Sequence, residues 1–271
     1  MRRAVVVKLG GGLITDKARL TTLRPDLLAR LAQEIASAVA AGVDVLVVHG
    51  AGSFGHLRAK AWSLASGKSD VQGDDGCASQ EEAVNLVRQD MIALSEHVCG
   101  ALQRAGLTTS AHPPHRWATG VGPSFEGDVL PLRPSSNVPV TWGDVVPVHG
   151  EAAFGILSGD DLVHRCAVEL PDVTRVVFAM GGADGVLRRP PDVATEADLI
   201  TEWNDDASFE GHHATEMDVT GGIGLKVERA RSIASHGIET LFVNGEVPGR
   251  LEAALTGQPV RGTRFPSEQK G

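Results

Sequence analysis

The chain has 271 residues, of which 42% are hydrophobic and 22% charged, and its formal net charge is −9. This length allows one large domain or two small ones, and the composition is typical of a globular protein with a sizeable core. The acidic balance disfavours non-specific nucleic-acid binding, which needs a basic surface, and the aromatic share of 4% argues against stacking platforms for single strands.

The cysteines Cys77, Cys99 and Cys166 lie far apart and form no CxxC pair. They indicate neither a disulfide framework nor a zinc site. No apolar run reaches the roughly 18 residues of a membrane-spanning helix, and the first apolar run is too short for the core of a signal peptide. We therefore expect a cytoplasmic protein with no membrane or nucleic-acid partner.

Short β-branched runs alternate with longer amphipathic stretches along the chain. Strands are predicted over 4–7, 43–48, 145–148, 173–179 and 238–243. Helices are predicted over 25–41, from a capping box at Ser79 and Glu82 to about Gly106, and from near Ser158, Thr220 and Pro248. This alternation predicts an α/β fold: a three-layer αβα sandwich with an open, mostly parallel central sheet.

Two stretches do not fit the alternation. Residues 66–76 are polar and rich in glycine, and we expect an exposed loop there. Residues 112–137 are rich in proline and show no clear period, which favours a lid or a substrate-side region over a strand–helix unit.

A first glycine-rich turn, Gly10-Gly11-Gly12, follows the first predicted strand and is flanked by Lys8 and Lys17. Its glycines let the backbone approach a ligand and turn N–H groups inward, and lysines beside such a nest suit a phosphate chain. A tight strand–helix turn with solvated lysines explains the pattern equally well. It is not a Walker loop, because the chain contains no GxxxxGK[ST].

A second turn, His49 to His56, also follows a buried strand and carries glycines at 50, 52 and 55. It therefore belongs at the carboxyl edge of the sheet, where α/β proteins bind ligands. His56 is a candidate hydrogen-bond donor to an anionic substrate at a helix start, and a structural or exposed histidine is the alternative.

Three further segments are candidates for the same chemistry. In Ser158-Gly159-Asp160-Asp161 a helix N-cap with a favourable acidic turn is a sufficient explanation, and a role for Asp160 in orienting lysines or Mg²⁺-bound water is the other. The glycine-rich segment 218–226 ends in Lys226, either a phosphate site or a capped helix with an exposed lysine. Residues 181–186 follow a strand and form a hairpin or a nucleotide edge.

These features suit phosphoryl transfer. That reaction needs the donor and acceptor aligned and the spread negative charge neutralised, with little covalent help from the protein. Lys8, Lys17 and Lys226 supply the cations, and an acceptor that is itself a phosphate needs no general base.

Taken in order, these segments resemble the amino acid kinase superfamily and, within it, the isopentenyl phosphate kinases. The matching segments are 8–17, 48–56, 158–161, 183–186, 218–226 and the closing stretch 242–263. The resemblance implies a homodimeric αβα protein, a single domain over 1–271, that uses ATP and Mg²⁺ to phosphorylate isopentenyl phosphate. It also implies an acceptor side over roughly 1–157 and a nucleotide side over roughly 158–271.

The resemblance implies roles for individual residues as well. Those implied in catalysis are Lys8, Lys17, His56, Asp160 and Lys226. Those implied at ATP are Lys8, Gly10, Gly11, Gly12, Gly52, Gly182, Asp184, Gly222 and Lys226. Those implied at the acceptor are Gly50, Ala51, Gly55, His56 and Gly159. No protein ligand to a metal is implied, and the pairs His112/His115 and His212/His213 are interpreted as exposed loop residues.

The sequence departs from the superfamily pattern at several positions. Gly12 stands for a usual Ser, Ala51 for a usual Gly, Gly181-Gly182 for Thr-Asp, and His149-Gly150-Glu151 for HGD. Two alternatives therefore stay open: a kinase of another small phosphate or phosphonate, fosfomycin-like or a cofactor precursor, and a non-catalytic nucleotide- or oxyanion-binding protein. Val84, Val87, Met91 and Leu94 form an apolar stripe that either packs in the core or, facing the pocket, favours a prenyl tail.

Overall fold

The computed structural model describes residues 3–16, 19–204, 207 and 222–267. The strands in these residues are β1 (Arg3–Leu9), β2 (Val43–His49), β3 (Thr109–Ala111), β4 (Val138–Trp142), β5 (Asp144–Pro147), β6 (Phe154–Leu157), β7 (Val173–Met180), β8 (Glu239–Asn244) and β9 (Gly262–Phe265). The α-helices are α1 (Gly11–Ile14), α2 (Pro25–Ala40), α3 (His56–Ala61), α4 (Gln80–Arg104), α5 (Gly159–Glu169), α6 (Gly222–Ser235) and α7 (Arg250–Thr256).

A seven-stranded sheet forms the centre of the molecule, in the order β3-β4-β2-β1-β7-β8-β9. Every neighbouring pair is parallel except β8 and β9. Strand β1 shows why there are two cores: Val5 and Val7 pack in one cluster with α2, α4 and α7, while Ala4 and Val6 pack in another with α5 and α6. Successive side chains of a strand point to opposite faces, so this central strand supplies both. The predicted αβα sandwich is confirmed.

Most predicted elements are confirmed with shifts of one or two residues at their ends. Pro25 is the first residue of α2, and the Ser79 side chain accepts from the Glu82 N–H at 3.2 Å at the start of α4. The Glu82 carboxylate accepts from the N–H of Ala78 rather than that of Ser79. None of the described helices is both long and apolar enough to cross a membrane.

The strand predicted near 145–148 is confirmed as β5, but it does not join the central sheet. Residues 144–147 and 154–157 pair as a separate antiparallel hairpin, β5–β6, and the strand that joins the sheet is β4. Pro139 near the start of β4 obscures its pattern, because proline lacks the N–H of a ladder bond and is placed at strand starts and edges.

Residues 112–137 are not a lid. Their apolar side chains Ala118, Phe125, Val129 and Leu132 are buried in the α5/α6 core. Arg165 of α5 holds the segment by donating to the carbonyl oxygens of Phe125 and Gly127, and its guanidinium lies 4.3 Å from the centre of the Phe125 ring. The segment is a packed covering of the sandwich without a regular period.

Glu34 of α2 ties the first half of the chain to α7. Its carboxylate accepts from the backbone N–H groups of Gly249 (3.0 Å), Leu251 (3.0 Å) and Glu252 (3.2 Å), and it pairs with Arg30. These N–H groups belong to the first turn of a helix and have no partners within it. A buried acidic side chain from a distant helix thus serves as the cap.

We expect Glu34→Gln to lower the free energy of unfolding by about 2 kcal/mol, because an amide has one acceptor oxygen and no charge to offer these donors. Urea unfolding measures the change. Glu96→Gln, at an exposed position of α4, is the matched control and should change stability by less than about 0.5 kcal/mol. An equal loss in both variants would contradict the capping role.

Candidate active site

A cavity of about 270 Å³ opens at the carboxyl ends of β1, β2 and β7. Both predicted glycine-rich turns line it, through Gly10, Gly11, Gly12, Gly50, Ala51, Gly52 and Gly55. Parallel neighbouring strands place their carboxyl ends at the same edge of the sheet, which is why these turns meet there.

The two glycine-rich turns are in backbone contact. A Cβ on Gly11 would lie 2.2 Å from the nitrogen of Gly52, and one on Gly50 would lie 2.6 Å from the nitrogen of Gly11. Gly52 has a φ of +50°, and beside it Thr15 Oγ1 donates to the Gly11 carbonyl and accepts from the Ser53 N–H. Glycine is required here because a side chain would push the turns apart.

Asp160 is the centre of a charged cluster at this cavity. It follows the N-cap Ser158 in the first turn of α5, and it is fully buried. Its carboxylate pairs with Lys8 through Oδ1 and with Lys226 through Oδ2, the second at 3.3 Å. Burial raises the pKa of Asp160, but the two ammonium groups outweigh this effect and hold the pKa below its ordinary value. The ionised carboxylate therefore fixes two cations that both line the cavity.

The residues predicted for the acceptor are brought together. His56 begins α3 and lines the cavity with Gly50, Ala51, Gly55 and Gly159. Gly159 lies against the lysine of β1, since a Cβ there would be 3.3 Å from Lys8 Cε. An anionic group in this part of the cavity would lie beside an imidazole, a lysine stem and the start of a helix.

The cavity also has an apolar wall, formed by Ala59, Val87, Met91, Val145 and Ile156. Val87 and Met91 come from the predicted stripe of α4, whereas Val84 and Leu94 pack in the core and do not line the cavity, all of these residues being described. Met91 Sδ would be 3.3 Å from a Cβ on Gly55, so the wall adjoins the acceptor residues. Cations beside an apolar wall suit a ligand with an anionic head and a small apolar body.

The other end of the cavity is lined by Met180, Gly181, Ala183, Gly185, Leu187, Pro191 and Ile223. Gly182 and Asp184, both predicted at the nucleotide, are described and do not line it. The Gly182 N–H donates to Glu246, and the Asp184 carboxylate accepts from Arg250, Arg261 and Asn244. Their contacts fix the shape of this turn, and its neighbouring residues form the surface.

Some predicted residues lie elsewhere. Lys17, residues 218–221 and the His212/His213 pair are outside the described residues. Gly222, the first described residue of α6, accepts from Lys226 Nζ at 3.2 Å through its carbonyl and does not itself line the cavity. His149-Gly150-Glu151 form the exposed turn of the hairpin rather than part of the site.

Sequence reasoning missed the contribution of the hairpin. Gly143, Asp144, Val145, Ile156 and Leu157 all line the cavity, and no residue of the fully described segment 112–137 does. The signal was present: Gly143 follows an apolar run directly, as the glycines of the other two turns do. Pro139 interrupts the strand pattern of that run, so the turn at Gly143 was not recognised.

The fold and this site agree with one protein family. The sequence profile of the amino acid kinase family matches residues 3–244, and the chain belongs to that family. It is 32% identical to the isopentenyl phosphate kinase of Methanothermobacter thermautotrophicus, over 96% of this chain and 98% of the relative. Its identity to the isopentenyl phosphate kinase of Haloferax volcanii is 35%, over 91% and 97% of the two chains. A solved isopentenyl phosphate kinase structure aligns with a TM-score of 0.79 at 28% identity, covering 97% of this chain and all of the other.

Proposed function

We propose that the chain transfers the γ-phosphoryl group of ATP to the phosphate of isopentenyl phosphate, giving isopentenyl diphosphate and ADP. The chain is a phosphotransferase of the kinase type. The observation that carries the choice of acceptor is the apolar wall of Val87, Met91, Val145 and Ile156 beside His56 and the lysines. A phosphate head with a five-carbon tail needs both surfaces in one cavity. Relatives that align with 96% and 91% of this chain are isopentenyl phosphate kinases.

In the proposed reaction an oxygen of the acceptor phosphate attacks the γ-phosphorus in line, the bond to the bridging oxygen breaks, and ADP leaves with that oxygen. The acceptor oxygen is already anionic, so no general base is required. Lys8 and Lys226 neutralise the charge that spreads over the transferring group, and Asp160 holds both ammonium groups in place. His56 binds the acceptor phosphate. The resemblance implies that Lys17 also acts on the transferring group.

Gly10–Gly12 and Gly52 would hold the phosphates of the donor, and Leu187, Pro191 and Ile223 line the part of the cavity that would take its base. Mg²⁺ would arrive as the ATP complex, held by phosphate oxygens and water, as it commonly is in kinases. Among the described residues no three His, Cys or carboxylate groups cluster as a metal site. Bound Mg²⁺ supplies further neutralisation of phosphate charge.

The single domain would have an acceptor side, mostly from the 1–157 part, and a nucleotide side that includes Met180, Leu187, Pro191 and Ile223. The division is not strict, because Gly159 is an acceptor residue and Gly10–Gly12 and Gly52 would hold the phosphates of the nucleotide. The homodimer rests on the resemblance. The cytoplasmic location rests on the sequence, and the three free cysteines suit a reducing compartment. Light scattering after size exclusion tests the dimer.

The function is tested by ADP release with ATP and Mg²⁺ in parallel reactions containing isopentenyl phosphate, dimethylallyl phosphate, fosfomycin, UMP or acetylglutamate. The expected result is the highest kcat/KM with isopentenyl phosphate. Activity on a different acceptor alone would keep the phosphotransferase and replace the substrate. Nucleotide binding without turnover of any acceptor would favour the binding-protein alternative.

A further inference from the structure

His115 does not line the cavity itself, but it contacts Asp144, which does. It lies in a 3₁₀ turn, Pro114–Arg116, and its side chain is 14% exposed, so its interpretation as an exposed loop residue is wrong. Its Nδ1 lies 2.7 Å from Asp144 Oδ2, and its backbone N–H donates to the same oxygen at 3.2 Å. A carboxylate oxygen is an acceptor, so Nδ1 is the donor in this pair. His115 therefore gives two hydrogen bonds to one carboxylate oxygen.

Asp144 connects this pair to the acceptor end of the site. It is the first residue of β5, its side chain is fully buried, and it lines the cavity. Its Oδ1 accepts from the N–H of Val145 at 2.8 Å. The preceding Gly143 donates to the His49 carbonyl at 3.2 Å, and a Cβ on Gly143 would lie 3.0 Å from the nitrogen of Gly159. The junction of β4 and β5 thus lies against the acceptor residue at the start of α5.

A buried carboxylate in this wall is unfavourable for an anionic ligand, because like charges in a poorly solvated cavity repel strongly. The structure offsets it with the three N–H donors described above and with Arg88 of α4, whose Nε donates to the Val145 carbonyl at 2.8 Å. Burial lowers the pKa of Arg88, and the charge of Asp144 opposes that effect, so the two groups are near enough to interact. Of the three groups that donate to Asp144, the imidazole is the side chain, so it can be replaced without altering the backbone.

We propose that His115 is a positioning residue for the acceptor: by holding Asp144 with two hydrogen bonds, it lets the wall of Gly143, Asp144 and Val145 admit the acceptor's phosphate. The inference rests on the proposed function and deepens it. His115 touches neither substrate. It acts on the acceptor side alone, because the pair lies at the β4–β5 junction and not near the nucleotide turn of residues 180–187.

The test compares the steady-state kinetics of His115→Ala, His115→Asn, Asp144→Asn and the double variant H115A/D144N. His115→Ala is expected to raise the KM for isopentenyl phosphate about tenfold, with kcat and the KM for ATP within about twofold of wild type. Asparagine can place an N–H where Nδ1 lies, so His115→Asn should recover most of the loss. Removing the charge should remove the need for the imidazole, so H115A/D144N should have a lower acceptor KM than His115→Ala alone.

Equal rises in both KM values, or an asparagine variant no better than alanine, would overturn the inference, since a purely structural role predicts both. If His115→Ala does not fold, Asp144→Asn decides: its acceptor KM should stay within about twofold of wild type, and a larger rise would overturn the inference. Failure of the proposed function is separate, because it appears as wild-type protein that does not turn over isopentenyl phosphate. In that event calorimetric titration of the same variants with inorganic phosphate makes the comparison, and equal affinities in wild type and His115→Ala would overturn the inference.

Discussion

Replacing Lys8 with methionine is expected to lower kcat/KM about 10³-fold, which corresponds to about 4 kcal/mol of lost transition-state stabilisation. Methionine keeps the apolar stem and removes the ammonium group that pairs with Asp160 and lines the cavity. The variant should also lose about 3 kcal/mol of unfolding free energy, because one of the two cations that compensate a fully buried carboxylate is gone. ADP-release kinetics and urea unfolding measure the two effects.

The matched control for this prediction is Lys60→Met, at an exposed position of α3 that does not line the cavity. Its kinetics should stay within about twofold of wild type. Assays of Lys8→Met are made at a temperature where its circular dichroism spectrum is that of the folded protein. A folded Lys8→Met with kcat/KM within tenfold of wild type would contradict the proposed role of the lysine.

Gly52→Ala is expected to reduce stability by about 4 kcal/mol and to abolish measurable turnover. Its Cβ would lie 2.0 Å from Thr15 Oγ1 and 2.6 Å from the Gly11 carbonyl oxygen, and the second of these atoms is backbone and cannot move alone. Relief of the clash must separate the two glycine-rich turns, and that separation displaces the residues that line the cavity. Thermal and urea unfolding, with ADP release, test the prediction.

The matched control here is Gly42→Ala. Gly42 also has a positive φ, +93°, but nothing lies within 4 Å of its Cβ position. Its substitution should cost only the conformational strain, about 1–2 kcal/mol, and leave kcat unchanged. Similar losses in both variants would mean that backbone conformation, and not the close contact of the two turns, makes glycine necessary at position 52.

The sheet could be predicted from the sequence where strands are continuous apolar runs that end in glycine or a lysine, as at β1 and β2. It could not be predicted at β4, where Pro139 interrupts the run, and the pattern of the next strand, β5, does not show that it pairs in a hairpin outside the central sheet. Residues 112–137 carry no period because their buried side chains are set by packing against α5, which a sequence pattern does not record.

The candidate site was predictable where one short segment carries both the turn and its charge, as at residues 8–12 and 158–161. It was not predictable where the role of a side chain depends on which residue, distant in sequence, forms a hydrogen bond or ion pair with it. The sequence predicts that Asp184 contacts the nucleotide, yet its carboxylate forms ion pairs with Arg250 and Arg261, which follow α6 in the chain. The sequence predicts that His115 is an exposed loop residue, yet it packs against Asp144, which begins β5 29 residues later.

The pairing of Lys8 with Asp160 joins residues 152 positions apart, and this bears on how the chain folds. The two charges meet only when the start of α5 packs against β1, and contacts of such long sequence separation close late because loop entropy must be overcome first. In a partly folded chain Asp160 has an ordinary aqueous environment and Lys8 a solvated ammonium group. The charged centre is therefore the product of a late long-range contact, and in stopped-flow refolding experiments nucleotide binding should appear no earlier than the slowest folding phase.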